Sequence, residues 1–153
     1  MFYNVKKILI FKLCCFGDSV FITPAIKSLK SNFPDSEIIY AHADWIRNMI
    51  PFIPDIDRGI LFESVYEKSL LKKIKGTLRF IRMIRREKID MVFYGHRTNL
   101  LSFVLMLCGI RYRLGYEGTK YLTHRAIFIN SLPEFERYQR ILSDNGIKII
   151  SSL

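Results

Sequence analysis

Near the start, Lys7-Ile-Leu-Ile-Phe-Lys-Leu13 is too apolar for a strand with one face in water. It predicts the buried first strand of a parallel sheet. Glu37 to Ala41, Gly59 to Phe62, Asp90 to Tyr94 and Arg111 to Gly115 repeat the pattern of short apolar or aromatic runs and predict four more strands. A short sixth is expected at Phe128-Ile-Asn130.

Between these runs the period changes to that of helices. Thr23 is expected to cap a helix with Pro24 at its first position, ending near Asn32 ahead of Pro34. Asp44 to Ile50 predicts a short helix halted by Pro51 and Pro54. From Lys68 to Lys88, Leu70, Leu71, Ile74, Leu78, Ile81 and Ile84 recur at steps of three and four, giving one apolar stripe. Leu100 to Leu107 predicts a buried helix closed by Gly109, and Glu134 to Asn145 a terminal helix ended by Gly146. Strands alternating with helices predict a doubly wound α/β sheet, and residues 1–153 read as one domain.

Charge adds a second pattern. The 24 Lys and Arg against 14 Asp and Glu give a formal net charge of +10, which implies an acidic partner. Much of it lies on the long helix, whose other face carries Lys72, Lys75, Arg79, Arg82 and Arg86 among nine bases, opposed only by Glu87. Solvated helix faces usually mix both signs, so this face is expected to meet an anionic surface. No nucleic-acid-binding module is recognisable, and nucleic acid is not an expected partner.

The three cysteines, Cys14, Cys15 and Cys108, have no metal-ligand spacing; their odd number suggests reduced thiols, packing residues rather than nucleophiles, in a cytoplasmic protein. No metal or cofactor is expected. The apolar run after Lys6 and Lys7 is short and ends in Gly-Asp, unlike a signal peptide, and Thr98 to Ile110 is too short to span a bilayer.

The candidate chemistry sits just past the first strand. Gly17 suits a tight strand-to-helix turn, and Asp18 falls at or near the start of a helix, where free N–H groups favour a carboxylate. Asp18 also falls at the carboxyl edge of the sheet, where open α/β folds bind ligands. It reads either as a helix cap or as a functional group. Lys12 reads either as an anion contact or as a solvated lysine at the strand edge. His96 and Arg97 follow the fourth strand at the same edge and are candidates to line the same groove.

The opening turn, with Lys12, Gly17, Asp18, Thr23, Pro24 and Ala25 in place, resembles the start of the family 9 glycosyltransferases, the lipopolysaccharide heptosyltransferase family. Cys14 and Cys15 replace its usual serines. The similarity continues in order through Asn32 to Ile38, Pro54 to Arg58, Glu87 to Val92, Arg113 to Tyr116, Glu136-Arg-Tyr138 and Gly146-Ile147. Tyr94-Gly-His96-Arg97, Leu100 and Pro133 depart from the family pattern.

The resemblance implies a Rossmann-like parallel sheet, the N-terminal, acceptor-binding half of a two-domain GT-B enzyme. The implied chemistry is inverting transfer of heptose from ADP-heptose to the lipopolysaccharide inner core. Asp18 would be the general base, with Lys12, Gly17, His96 and Arg97 around an anionic, lipid-linked sugar acceptor. The donor nucleotide sugar belongs to a C-terminal half absent from this chain, so the isolated chain is expected to be inactive. The expected location is the cytoplasmic surface of the inner membrane. The alternative is a non-catalytic domain that binds an anionic membrane or a separately encoded donor half.

Overall fold

The computed structural model describes residues 1–13, 16–63 and 67–150. The expectations for Cys14 and Cys15 lie outside the described residues. Its strands are β1 (Lys7–Phe11), β2 (Glu37–His42), β3 (Arg58–Leu61), β4 (Met91–Tyr94), β5 (Tyr112–Tyr116) and β6 (His124–Ala126). Its helices are α1 (Phe16–Phe21), α2 (Thr23–Asn32), α3 (Leu70–Glu87), α4 (Asn99–Leu107) and α5 (Glu134–Ser143), with a 3-10 helix at Asp44–Phe52. The strands form one sheet in the order β3-β2-β1-β4-β5-β6, and every neighbouring pair is parallel. This is the Rossmann-like sheet expected from the sequence.

The two-residue period of a strand explains why β1 is apolar throughout. Ile8 and Ile10 enter a core with Ile26 and Leu29 of α2 and Ile141 and Leu142 of α5. Leu9 and Phe11 enter the opposite core with Phe80 and Ile84 of α3 and Val104 and Leu105 of α4. Both faces of β1 are thus covered, and truncating a side chain such as Ile10 to Ala would cost about 2–5 kcal/mol.

At the amino edge, Asp90 Oδ2 accepts the N–H groups of Lys6 and Lys7 at 2.8 and 3.0 Å, tying the starts of β1 and β4 together. Beside it, Arg58 donates to Glu37 at 2.6 Å and to Glu87 at 2.5 Å, and Lys7 reaches both carboxylates.

Several local expectations change. Gly17 is the second residue of α1 rather than a turn residue, is not among the positive-φ glycines, and has open space where a Cβ would stand. The N-cap of α2 is Ile22; Thr23 is already helical and its hydroxyl donates to the Ser19 carbonyl at 3.2 Å. The 3-10 helix runs through Pro51 to Phe52. The sixth strand is His124–Ala126, and Phe128 lies beyond it. The helix at Asn99–Leu107 is only half-buried, with Leu100, Phe103 and Leu107 exposed. The stripe of α3 divides: Ile81 and Ile84 enter the core, whereas Leu70, Leu71, Ile74 and Leu78 face outward.

Candidate active site

The strand order reverses between β1 and β4, because β1 connects outward to β2 while β4 starts the other half of the sheet. Crevices at such switch points, outside the carboxyl ends of the strands, are where open α/β sheets bind ligands. Lys12 leaves β1 there and Gly95 and His96 leave β4.

The backbone at this edge is fixed by side chains. The Gly95 N–H donates to the Phe11 carbonyl at 3.1 Å, extending the β1–β4 ladder by one step. Tyr40 of β2, fully buried, donates its hydroxyl to the Lys12 carbonyl at 3.2 Å and lies 3.3 Å from the Ser19 hydroxyl. A Cβ on Gly95 would come within 3.1 Å of Lys12 Cδ and 3.4 Å of the Tyr138 ring, so the lysine stem packs closely over this glycine and would have to give way slightly to a side chain.

Lys12 then turns its ammonium toward Asp18, in the first turn of α1, at 3.7 Å. Their side chains are 11% and 22% exposed, so the pair is largely shielded from water without being fully buried. His96 completes the group: its Nε2 accepts the Leu13 N–H at 2.8 Å. Because the backbone N–H can only donate, Nε2 carries no proton, and the neutral ring keeps its proton on Nδ1. Burial foremost, then the Lys12 charge, lowers the His96 pKa to about 4, against the opposing pull of Asp18. His96 is therefore neutral at physiological pH, with its lone pair already engaged. Asp18 is the carboxylate that faces Lys12 here.

A second cluster borders the first. Arg97 lies over the Phe128 ring, its Cζ 3.9 Å from the centroid, and Arg137 of α5 approaches the same ring at 5.2 Å. Phe128 meets buried Tyr116 edge-on at 5.0 Å, and Arg137 is paired with Glu134. Tyr138, next in α5, is fully buried, and its hydroxyl has no hydrogen-bonding partner among the described residues. Burial, then the adjoining Glu134 and Asp18 carboxylates, push its phenol far up.

The structure thus brings Lys12, Asp18 and His96 together, sets Arg97 on the neighbouring Phe128 and leaves Gly17 on the exposed start of α1. The five bases Lys72, Lys75, Arg79, Arg82 and Arg86 belong to α3, on the other side of the sheet from α1 and α5. Arg137, Glu134 and Tyr138 were not expected at the site. Arg137 and Tyr138 could have been found through the segment Glu136-Arg-Tyr138 that carries part of the resemblance, and Glu134 lies just ahead of it. Among the described residues no cluster of His, Cys, Asp or Glu could hold a metal ion.

No family model matches the chain, and no curated protein matches it. Solved structures do. The family 9 glycosyltransferase of Veillonella parvula superposes with a TM-score of 0.81 at 20% identity, over 97% of this chain and 43% of that one. Escherichia coli ADP-heptose heptosyltransferase II gives 0.75 at 18% identity, over 93% and 41%. E. coli heptosyltransferase WaaC, solved with ADP-2-deoxy-2-fluoro heptose, gives 0.74 at 12% identity, over 96% and 50%. The chain spans half or less of the length of each, and over that span it has the fold of these glycosyltransferases.

Proposed function

We propose that the chain forms the acceptor-binding half of an inverting, GT-B-type sugar transferase, with Asp18 as its general base. The observation that carries this is the convergence of Asp18, Lys12 and the neutral His96 at the β1–β4 switch point. An acceptor hydroxyl placed against Asp18 gives its proton to the carboxylate as its oxygen attacks the anomeric carbon. The bond from that carbon to the nucleoside diphosphate breaks, and the diphosphate leaves with the electron pair. Lys12 and, beyond it, Arg97 and Arg137 supply positive charge for an acidic acceptor, while His96 Nδ1–H can orient a sugar oxygen.

The donor class is proposed from the structural relatives, two of which are named for ADP-heptose or were solved with an analogue of it. A heptose-type nucleotide sugar, bound by a second half, is the matching donor here, and an acidic, lipid-linked sugar is the matching acceptor. The chain would meet that acceptor peripherally, at the cytoplasmic face of the inner membrane.

The test is Asp18→Asn in the chain paired with a donor-binding half, measured for both transfer and unfolding. Asp18 lies within the first turn of α1 rather than at its cap, so asparagine keeps the shape but loses the pairing with Lys12 and the favourable charge there, and stability should fall by about 1 kcal/mol. Loss of the proton acceptor should lower turnover about a hundredfold or more. Transfer at the unmutated rate would remove Asp18 from the chemistry and leave a binding domain.

A further inference from the structure

The long basic helix α3 buries only the later part of its apolar stripe. Phe80, Ile81 and Ile84 pack on the sheet. Toward the start of the helix the same stripe continues as Leu70, Leu71, Ile74 and Leu78, which stand in solvent, the first two 71% and 72% exposed. At 100° per residue these four fall within one third of the circumference. Lys75, Arg79, Arg82 and Arg86 occupy the next third. A shallow groove of about 680 Å³ runs along that basic side. Glu87, the only acid of α3, sits at the end of this groove and is paired with Arg58 and Lys7.

The helix beside it repeats the pattern. α4 packs into the same core layer through Val104 and Leu105, and its Leu100, Phe103 and Leu107 face outward at helical spacing. Both helices begin at the carboxyl edge of the sheet, because each follows a parallel strand that ends there.

We propose that the exposed stripe of α3, joined by that of α4, inserts into the headgroup–acyl boundary of an anionic bilayer, with the α3 bases on its phosphates. An exposed apolar stripe flanked by bases of one sign fits this occupant by both its apolar area and its charge. A neutral protein groove would leave the bases unpaired, and charge attraction alone leaves four exposed aliphatic side chains without a role. The inference goes beyond the peripheral placement proposed above by naming the helices and the mode of binding. It also puts the Asp18 edge of the sheet, where α3 and α4 begin, on the membrane side, suited to a lipid-linked acceptor.

The experiment uses the full chain carrying Trp45→Phe, which removes its one tryptophan, and Leu71→Trp as a reporter. With vesicles of phosphatidylglycerol and phosphatidylcholine, the reporter should shift to the blue and be quenched by bromine on the acyl chains. Leu71→Glu with Ile74→Glu, both at exposed positions, should weaken binding at least tenfold. Neutralising Lys75, Arg79 and Arg82 to Gln should weaken it about fivefold per charge. Vesicle binding without quenching would overturn insertion while leaving a purely electrostatic attachment. No vesicle binding, with self-association abolished by Leu71→Glu, would overturn it in favour of a second copy of the chain. Neither result bears on the Asp18 rate test, so the two readings fail separately.

Discussion

His96 Nε2 accepts the backbone N–H of Leu13 across the β1–β4 boundary at 2.8 Å. The bond holds the residue after Lys12 against the loop after β4, and it exists only while the imidazole is neutral. Protonation would place a hydrogen between two donors.

The first prediction is therefore a loss of stability in weak acid. His96 titrates at about 4 in the folded chain against an ordinary 6.5. Between those values the unfolded chain binds the extra proton, so stability is complete above pH 6.5 and is lost as pH falls toward 4. The full loss is about 3 kcal/mol at most. His96→Gln keeps an acceptor without the titration, and its urea midpoint should be flatter from pH 7 to 4. Equal slopes for the two proteins in that range would refute the assignment.

The second prediction concerns the amino edge. Hydrogen bonds from Arg58, foremost, hold the Glu37 and Glu87 carboxyls below the usual range. Such groups stabilise the fold above their ordinary pKa near 4.5, and that contribution disappears as pH falls through the lowered values. Arg58→Met should cost about 1 kcal/mol at pH 7, a modest figure because the network is one-quarter to one-third exposed. At pH 3 the cost should shrink toward zero. A loss of the same size at both pH values would show that Arg58 acts through packing instead.

The central sheet was legible because β1, β2 and β4 are buried on both faces, so their interior positions are apolar or aromatic and only their starts, Lys7 and Glu37, are charged. The sixth strand was not. His124-Arg-Ala126 is a short edge strand with two polar residues. Phe128, the apolar residue that drew the expectation, instead carries the Arg97 and Arg137 guanidiniums. Periodicity likewise identified α3 but not its packing: spacing reports which residues share a stripe, not whether the sheet beneath is wide enough to cover them. Asp18, Lys12 and His96 were legible as residues at strand ends. Their contacts depend on β4 lying beside β1, which only the strand order supplies.

Tyr138 gives the third prediction. Its hydroxyl is buried beside the Glu134 carboxylate but makes no well-formed hydrogen bond among the described residues, an arrangement that costs free energy. Tyr138→Phe removes the cost and preserves the ring that packs on Gly95 and Phe93. The variant should be as stable as the parent or up to about 1 kcal/mol more stable. A destabilisation beyond about 1 kcal/mol in thermal unfolding would mean that the hydroxyl is satisfied in solution.

The last prediction uses His96 as a reporter of its two charged neighbours. Lys12 lowers its pKa and Asp18 raises it, each acting across the recess at the β1–β4 boundary. Lys12→Met removes a repelling cation and should move the imidazole midpoint up, toward the ordinary value. Asp18→Asn removes the anion that favours the charged ring and should move the midpoint further down. Opposite signs from two near-isosteric substitutions cannot arise from a general change in burial, which would move both the same way. The measurement is the pH dependence of the His96 ring resonances by NMR, with His42 and His124 as internal references. If neither substitution moves the midpoint, Lys12, Asp18 and His96 do not share a recess in solution, and the proposed acceptor site loses its geometric basis. If both move it as stated, Asp18 and its cationic neighbour are placed together in solution.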